Sequence, residues 1–179
     1  MAVFVGFLRG INVGGHRKIK MADLKNVLCA AGLVNPVTYL QSGNIIFESD
    51  DLDTTSLQRT IEESITGSFG FEVPVLVHSK KDFRSIFLNN PFANDPKVDN
   101  KNVYFILLRE CQDPADFERI TSGRSFDEEI SLGRNVIYMN YVKGYGRSVI
   151  GANFFERKLD QIATARNYNT MRNLNEKLQ

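Results

Sequence analysis

The sequence has no tryptophan, two cysteines and two histidines. Each shortage removes a class of chemistry. Cys29 and Cys111 stand alone, as do His16 and His78. They offer neither a metal-ligand spacing nor a disulfide framework. The expectation is therefore no metal and no cofactor, with both cysteines as free thiols in a reducing cytoplasm. No Ser-His-Asp set can be read from the spacing either. Long apolar runs are missing too: nothing approaches the roughly 20 residues of a membrane span. The apolar start, residues 1–8, is ended by Arg9 too early for a signal peptide. A cytoplasmic protein with no membrane partner is expected. The acids at Asp127, Glu128 and Glu129 read as a solvated turn or strand, not as a metal site.

What is present is ordinary globular material: 42% hydrophobic and 24% charged residues, with 13 phenylalanines to fill a core. A length of 179 residues fits one compact unit or two small ones. Net charge is only +1, yet it is unevenly spread, with residues 1–47 at +4, residues 48–131 at −8 and residues 132–179 at +5. Two basic ends can form one face toward an anionic partner, or they can pair with the acidic middle.

Residues 2–8 are apolar at every position, as in a strand buried on both faces. Met21, Leu24, Leu28 and Ala31 repeat at helical spacing, and Gly32 ends that helix. Residues 37–40 and 45–47 read as strands joined by the turn Gln41-Ser42-Gly43-Asn44, with Gly43 free to take positive φ. Asp53 or Thr54 caps a helix whose face is Leu57, Ile61, Ile65 and Phe69, and residues 73–78 give another strand. Cys29 falls near the apolar face of the first helix and reads as a small core residue. His78 lies in a strand pattern that buries it.

The second half repeats the order. Residues 103–108 are apolar throughout, Asp113-Pro114 opens a helix, and residues 126–132 and 136–142 read as strands. A helix follows around residues 153–162, and a last one runs from about Asn167 to Leu178. No fourth strand is evident after residue 162. Ser79 to Asp82 resembles a capping box. The fold class expected is α+β: two tandem ferredoxin-like βαββαβ halves, the second imperfect, with an extra C-terminal helix. The boundaries read are 1–88, a linker at 89–102, and 103–179.

Four polar segments stand out. Residues 9–20 carry Arg9, Arg17, Lys18 and Lys20, no acid, and glycines at 10, 14 and 15. Glycines, inward N–H groups and cations are the ingredients of an anion cradle. Neither the GxxxxGKS/T pattern nor GxGxxG is present, so the signature of a nucleotide hydrolase is missing. The turn 41–44 offers amides and a hydroxyl that can contact a base, a sugar or a phosphate, or merely hold the turn's own backbone. In a βαββαβ unit these two segments lie at the same end of the sheet. Lys143 to Ser148 places Tyr145 between glycines and beside cations, as a stacking platform or a plain connector. In the last segment Thr164 reads as a helix N-cap, and Arg166, Asn167 and Asn169 sit where the helix dipole favours anions. An arginine there opposes the dipole, so a partner anion or a carboxylate must offset it. The stripe Tyr168, Met171, Leu174 and Leu178 reads as packing.

The runs LRGINVGG (8–15), QSGN (41–44), NFFE (153–156) and TARNYNT (164–170) together resemble a widespread bacterial family, domain-of-unknown-function family 1697. The resemblance covers nearly the whole chain and implies two ferredoxin-like α+β halves and no established activity. The family's recurrent positions fall on Arg9, Gly10, Asn12, Gly14, Gly15, Gln41, Ser42, Gly43, Asn44, Asn153, Arg166, Asn167 and Asn169. Ala165 departs from the expected second threonine.

The leading expectation is a protein that binds an anionic partner, either single-stranded nucleic acid or a phosphorylated nucleotide-like small molecule. Arg9, Arg17, Lys18 and Arg166 would meet phosphate, with Gly14 and Gly15 letting the backbone approach. Asn12, Gln41, Ser42, Asn44, Asn167 and Asn169 would supply polar contacts. An enzyme acting on a small phosphorylated or amide-bearing substrate and a protein-interaction module stand beside it. Oligomeric state is not legible.

Overall fold

The structure is a computed structural model that describes residues 1–122 and 125–179. It divides into two compact units, Met1–Phe83 and Arg84–Gln179.

The first unit runs β1 (Ala2–Leu8), α1 (Met21–Ala30), β2 (Val34–Tyr39), β3 (Asn44–Ser49), α2 (Thr54–Phe69) and β4 (Val75–Ser79), and the division falls within α3 (Lys80–Leu88). Its sheet is antiparallel in the order β2-β3-β1-β4. Strand β1 is central, which explains its unbroken apolar sequence: both faces are covered. Phe4 and Leu8 join Leu24, Leu28, Leu57, Ile61 and Ile65 in one core. Phe7 is buried too, with its ring 6.0 Å from His78 and 6.1 Å from Phe83.

Local signals set the ends of these elements. The Asp53 carboxylate accepts from the Thr55 N–H, capping α2, and Gly70 closes that helix at φ 78°. Ser79 Oγ accepts from the Asp82 N–H at 3.1 Å, as a cap should. The return bond differs from a capping box, because the Asp82 carboxylate takes the Ser79 hydroxyl at 2.6 Å. Aspartate is one methylene shorter than the usual glutamate.

The second unit runs β5 (Val103–Leu108), α4 (Pro114–Thr121), β6 (Glu129–Leu132), β7 (Val136–Asn140), α5 (Ala152–Leu159), β8 (Ala163–Asn167) and α6 (Tyr168–Lys177). Its sheet has the order β6-β7-β5-β8. Residues 89–102, read as a linker, form turns and a short 3-10 helix at Asn100–Asn102. The core joins Ile106, Leu108, Ile137, Met139, Tyr141 and Phe155.

Strand β8 corrects the sequence reading, which saw no fourth strand here. Ala163-Thr164-Ala165-Arg166-Asn167 has little strand propensity, but it pairs residue by residue with β5, from Leu108↔Ala163 to Tyr104↔Asn167. Thr164 is therefore a strand residue, and the cap of α6 is Asn167, whose side chain accepts from the Thr170 N–H at 2.9 Å. Cys29 is a second correction: it is exposed, as is Cys111. Among the described residues no helix is long and apolar enough to cross a membrane, and no group of three or more His, Cys, Asp or Glu could hold a metal ion.

Candidate functional site

Residues 10–17 concentrate left-handed backbone: Gly10, Asn12, Gly14, Gly15 and Arg17 have φ of 67°, 56°, 58°, 80° and 47°. Glycine takes this conformation freely, and asparagine more readily than other side chains. The result is a very small hairpin. Val13 pairs with His16, the Asn12 N–H donates to the Arg17 carbonyl at 3.2 Å, and Gly14-Gly15 form the tip. Consecutive positive-φ residues at such a tip match a type I′ turn.

Asn12 fastens this hairpin to its surroundings. Its Nδ2 donates to the Ile19 carbonyl at 3.0 Å and to the Gln41 carbonyl at 2.8 Å, while its Oδ1 accepts from the Ile19 N–H at 2.9 Å. The loop and the turn 41–44 thus meet, as the topology requires. Strand β1 joins them again, since the Leu8 N–H donates to the Gly43 carbonyl at 2.8 Å. Gly43 is obligatory there: φ is 77°, and a Cβ would fall 2.7 Å from Leu8 Cβ and from Ile11 Cδ1.

The other predicted residues of this region separate by exposure. Gly14, Gly15, Arg17, Lys18, Gln41 and Ser42 are exposed, and Arg9 is half-buried. Asn44 is a correction: it has no exposed surface, and its Nδ2 donates to the Tyr39 carbonyl at 2.7 Å and to Ser42 Oγ at 3.1 Å. It holds the turn rather than facing a ligand. Among the described residues Arg17, Lys18 and Lys20 have no carboxylate at ion-pair distance.

A cavity of about 610 Å³ opens against the loop. Four predicted residues line it, namely Asn12, Gly15, Lys18 and Gln41. Lys20, the last cation of the segment 9–20, lines it too, and the sequence reading missed Met21, Asp23 and Phe69. Phe69 continues the apolar stripe of α2, so its pattern signalled only core. Met21 and Asp23 lie in the first turn of α1, and periodicity assigns such residues to the helix.

In the second unit Arg166 is again a correction. It lies in β8, not in a helix, and is only 7% exposed. Its Nη1 donates to Thr164 Oγ1 and to the Ala165 carbonyl, both at 2.8 Å, and burial lowers its pKa to about 10. Asn167 and Asn169 are exposed beside it, with Asn167 engaged as the cap of α6. His78 is buried, and loss of solvation pushes its pKa down to about 4, with Asp82 pulling the other way. A neutral, enclosed imidazole in the strand β4 is a core residue.

The family model for a protein of unknown function, DUF1697, matches residues 1–138. The chain belongs to the DUF1697 family. No curated protein matches it. A solved structure, described as the conserved bacterial protein SP0830 from Streptococcus pneumoniae, is 25% identical in sequence, with the match covering 99% of both chains and a TM-score of 0.77. The match to the DUF1697 model spans the whole first unit, with the hairpin, the turn and the cavity.

Proposed function

We propose that the first unit of this DUF1697 protein binds a small phosphorylated, nucleotide-like anion in the cavity beside residues 12–20. The observation that carries this reading is the lining itself. Among the described residues, two cations, Lys18 and Lys20, and a single acid, Asp23, line about 610 Å³, and Asn12, Gln41 and Gly15 add amide groups and backbone. That volume lies within the range of small-molecule sites. Ile19, Met21 and Phe69 supply an apolar portion for a planar body. The strained Asn12 and Arg17 backbone supports a functional assignment, since such strain persists where the surrounding structure holds it in place. Each unit is read as a ferredoxin-like sandwich, on the strand orders β2-β3-β1-β4 and β6-β7-β5-β8.

A concave site favours a mononucleotide over a strand of nucleic acid, which needs an open basic track with stacking platforms. Titration calorimetry with adenosine 5′-monophosphate at low ionic strength tests this. One-to-one binding is expected, weakened about tenfold in a Lys18→Gln, Lys20→Gln double variant. No binding, or equal affinity in the variant, overturns the reading. Tighter binding of a single-stranded oligonucleotide, falling steeply with salt, would favour the nucleic-acid alternative instead.

A further inference from the structure

The two units share a hydrogen-bond frame. In the first, the Leu8 N–H donates to Gly43 at 2.8 Å and the Arg9 N–H to Pro74 at 2.9 Å; in the second, Leu108 donates to Asn135 at 2.9 Å and Arg109 to Ile162 at 3.0 Å. Glu62 of α2 accepts from the Val75 N–H at 2.8 Å, and Glu156 of α5 accepts from the Ala163 N–H at 3.1 Å. Against this common frame two connections differ. Residues 9–20 join β1 to α1 where residues 109–113 join β5 to α4. Residues 141–151 join β7 to α5 where residues 50–53 join β3 to α2. The short version of each connection shows what the frame requires, so the longer one has another reason to exist. In each unit the longer connection borders a cavity, of about 610 Å³ in the first and about 490 Å³ in the second.

We propose that the second cavity is a separate binding site, for a small monoanion with a planar aromatic body. Among the described residues its lining contains one cation, Arg157, and no acid. Arg157 Nε donates to the Asn153 carbonyl at 3.2 Å, and among the described residues it has no carboxylate partner. Tyr145 is 43% exposed yet firmly held. It stacks on Tyr104 with centroids 4.3 Å apart and planes within 9°, and meets Tyr141 edge-on at 5.0 Å. A packed aromatic ring and a cation thus share one lining, suited to a ring bearing one negative charge.

Two glycines of the lining support the assignment. A Cβ at Gly146 would meet nothing within 4 Å, and one at Gly151 only ordinary contacts, with the nearest atoms, the Tyr141 and Tyr145 hydroxyls, at 3.8 Å. Neither has the positive φ that calls for glycine. Glycine lowers stability relative to alanine where the backbone does not need it, yet both positions belong to the lining of the cavity.

Naphthalene-1-sulfonate, a planar aromatic monoanion, is the probe, with binding followed by titration calorimetry on the full chain. Saturable one-to-one binding is expected. It weakens about tenfold in Arg157→Gln and is lost in Gly146→Leu, which adds a large side chain to the lining at a position with open space around it. The Lys18→Gln, Lys20→Gln variant should bind as the parent does. The proposal is overturned if the probe does not bind, if both second-unit variants bind it normally, or if only the lysine variant loses it.

Discussion

Gly43 shows how much a single residue fixes in the first unit. Its carbonyl accepts from Leu8 while its missing side chain makes room for Leu8 and Ile11. Gly43→Ala forces a Cβ into contacts of 2.7 Å at φ 77°, and a loss of about 3 kcal/mol or more is expected in urea denaturation. His78 provides a second test at this scale. Its folded pKa, about 4, lies below the ordinary 6.5, so below pH 6.5 the unfolded chain takes up the proton first. The stability from keeping His78 neutral is full above pH 6.5 and is lost as pH falls toward 4. The loss is on the order of 3 kcal/mol. His78→Leu should flatten that part of the stability–pH curve, and an unchanged slope would contradict the assignment. The sequence showed Gly43 as a turn glycine and His78 as a buried strand residue. It did not show that the Asn12 and Asn44 amides are turned onto backbone carbonyls, because a ligand-facing amide and a self-satisfied one are the same letter.

Among the elements, the edge strands β4 and β8 are served by neighbouring helices. Gln58 and Glu62, one turn apart on α2, accept from the Val77 and Val75 N–H groups at 3.0 and 2.8 Å. Side chains on outward N–H groups blunt an edge that would otherwise pair with another chain. Glu62→Ala and Glu156→Ala should each destabilise their own unit by about 1–2 kcal/mol, measured by urea denaturation; a neutral result for both would remove the shared-frame argument at this point. Elements with strong apolar pattern, β1, α2 and β5, were readable because burial dictated their letters. Strand β8 was not, because its place comes from pairing with β5, a long-range contact that local propensity does not record.

For the whole molecule, the charge blocks of the sequence do not follow its structural division. Met1–Phe83 carries eight Lys/Arg and nine acids, and Arg84–Gln179 carries fourteen and twelve. Each unit is nearly neutral, so electrostatic recognition rests on local arrangement. In the first unit that arrangement is the group Arg17, Lys18 and Lys20 on a strained hairpin beside a cavity. The sequence located the polar loop and joined it to residues 41–44 through topology; the cavity became visible only with Met21 and Phe69 brought into one lining with the loop. The most direct test of the binding claim is residue-resolved NMR during titration with adenosine 5′-monophosphate. The account predicts saturable amide shifts at Gly15, Lys18, Lys20 and Gln41, with residues around β6 unmoved. Shifts confined to other surfaces, or none at all, would contradict it.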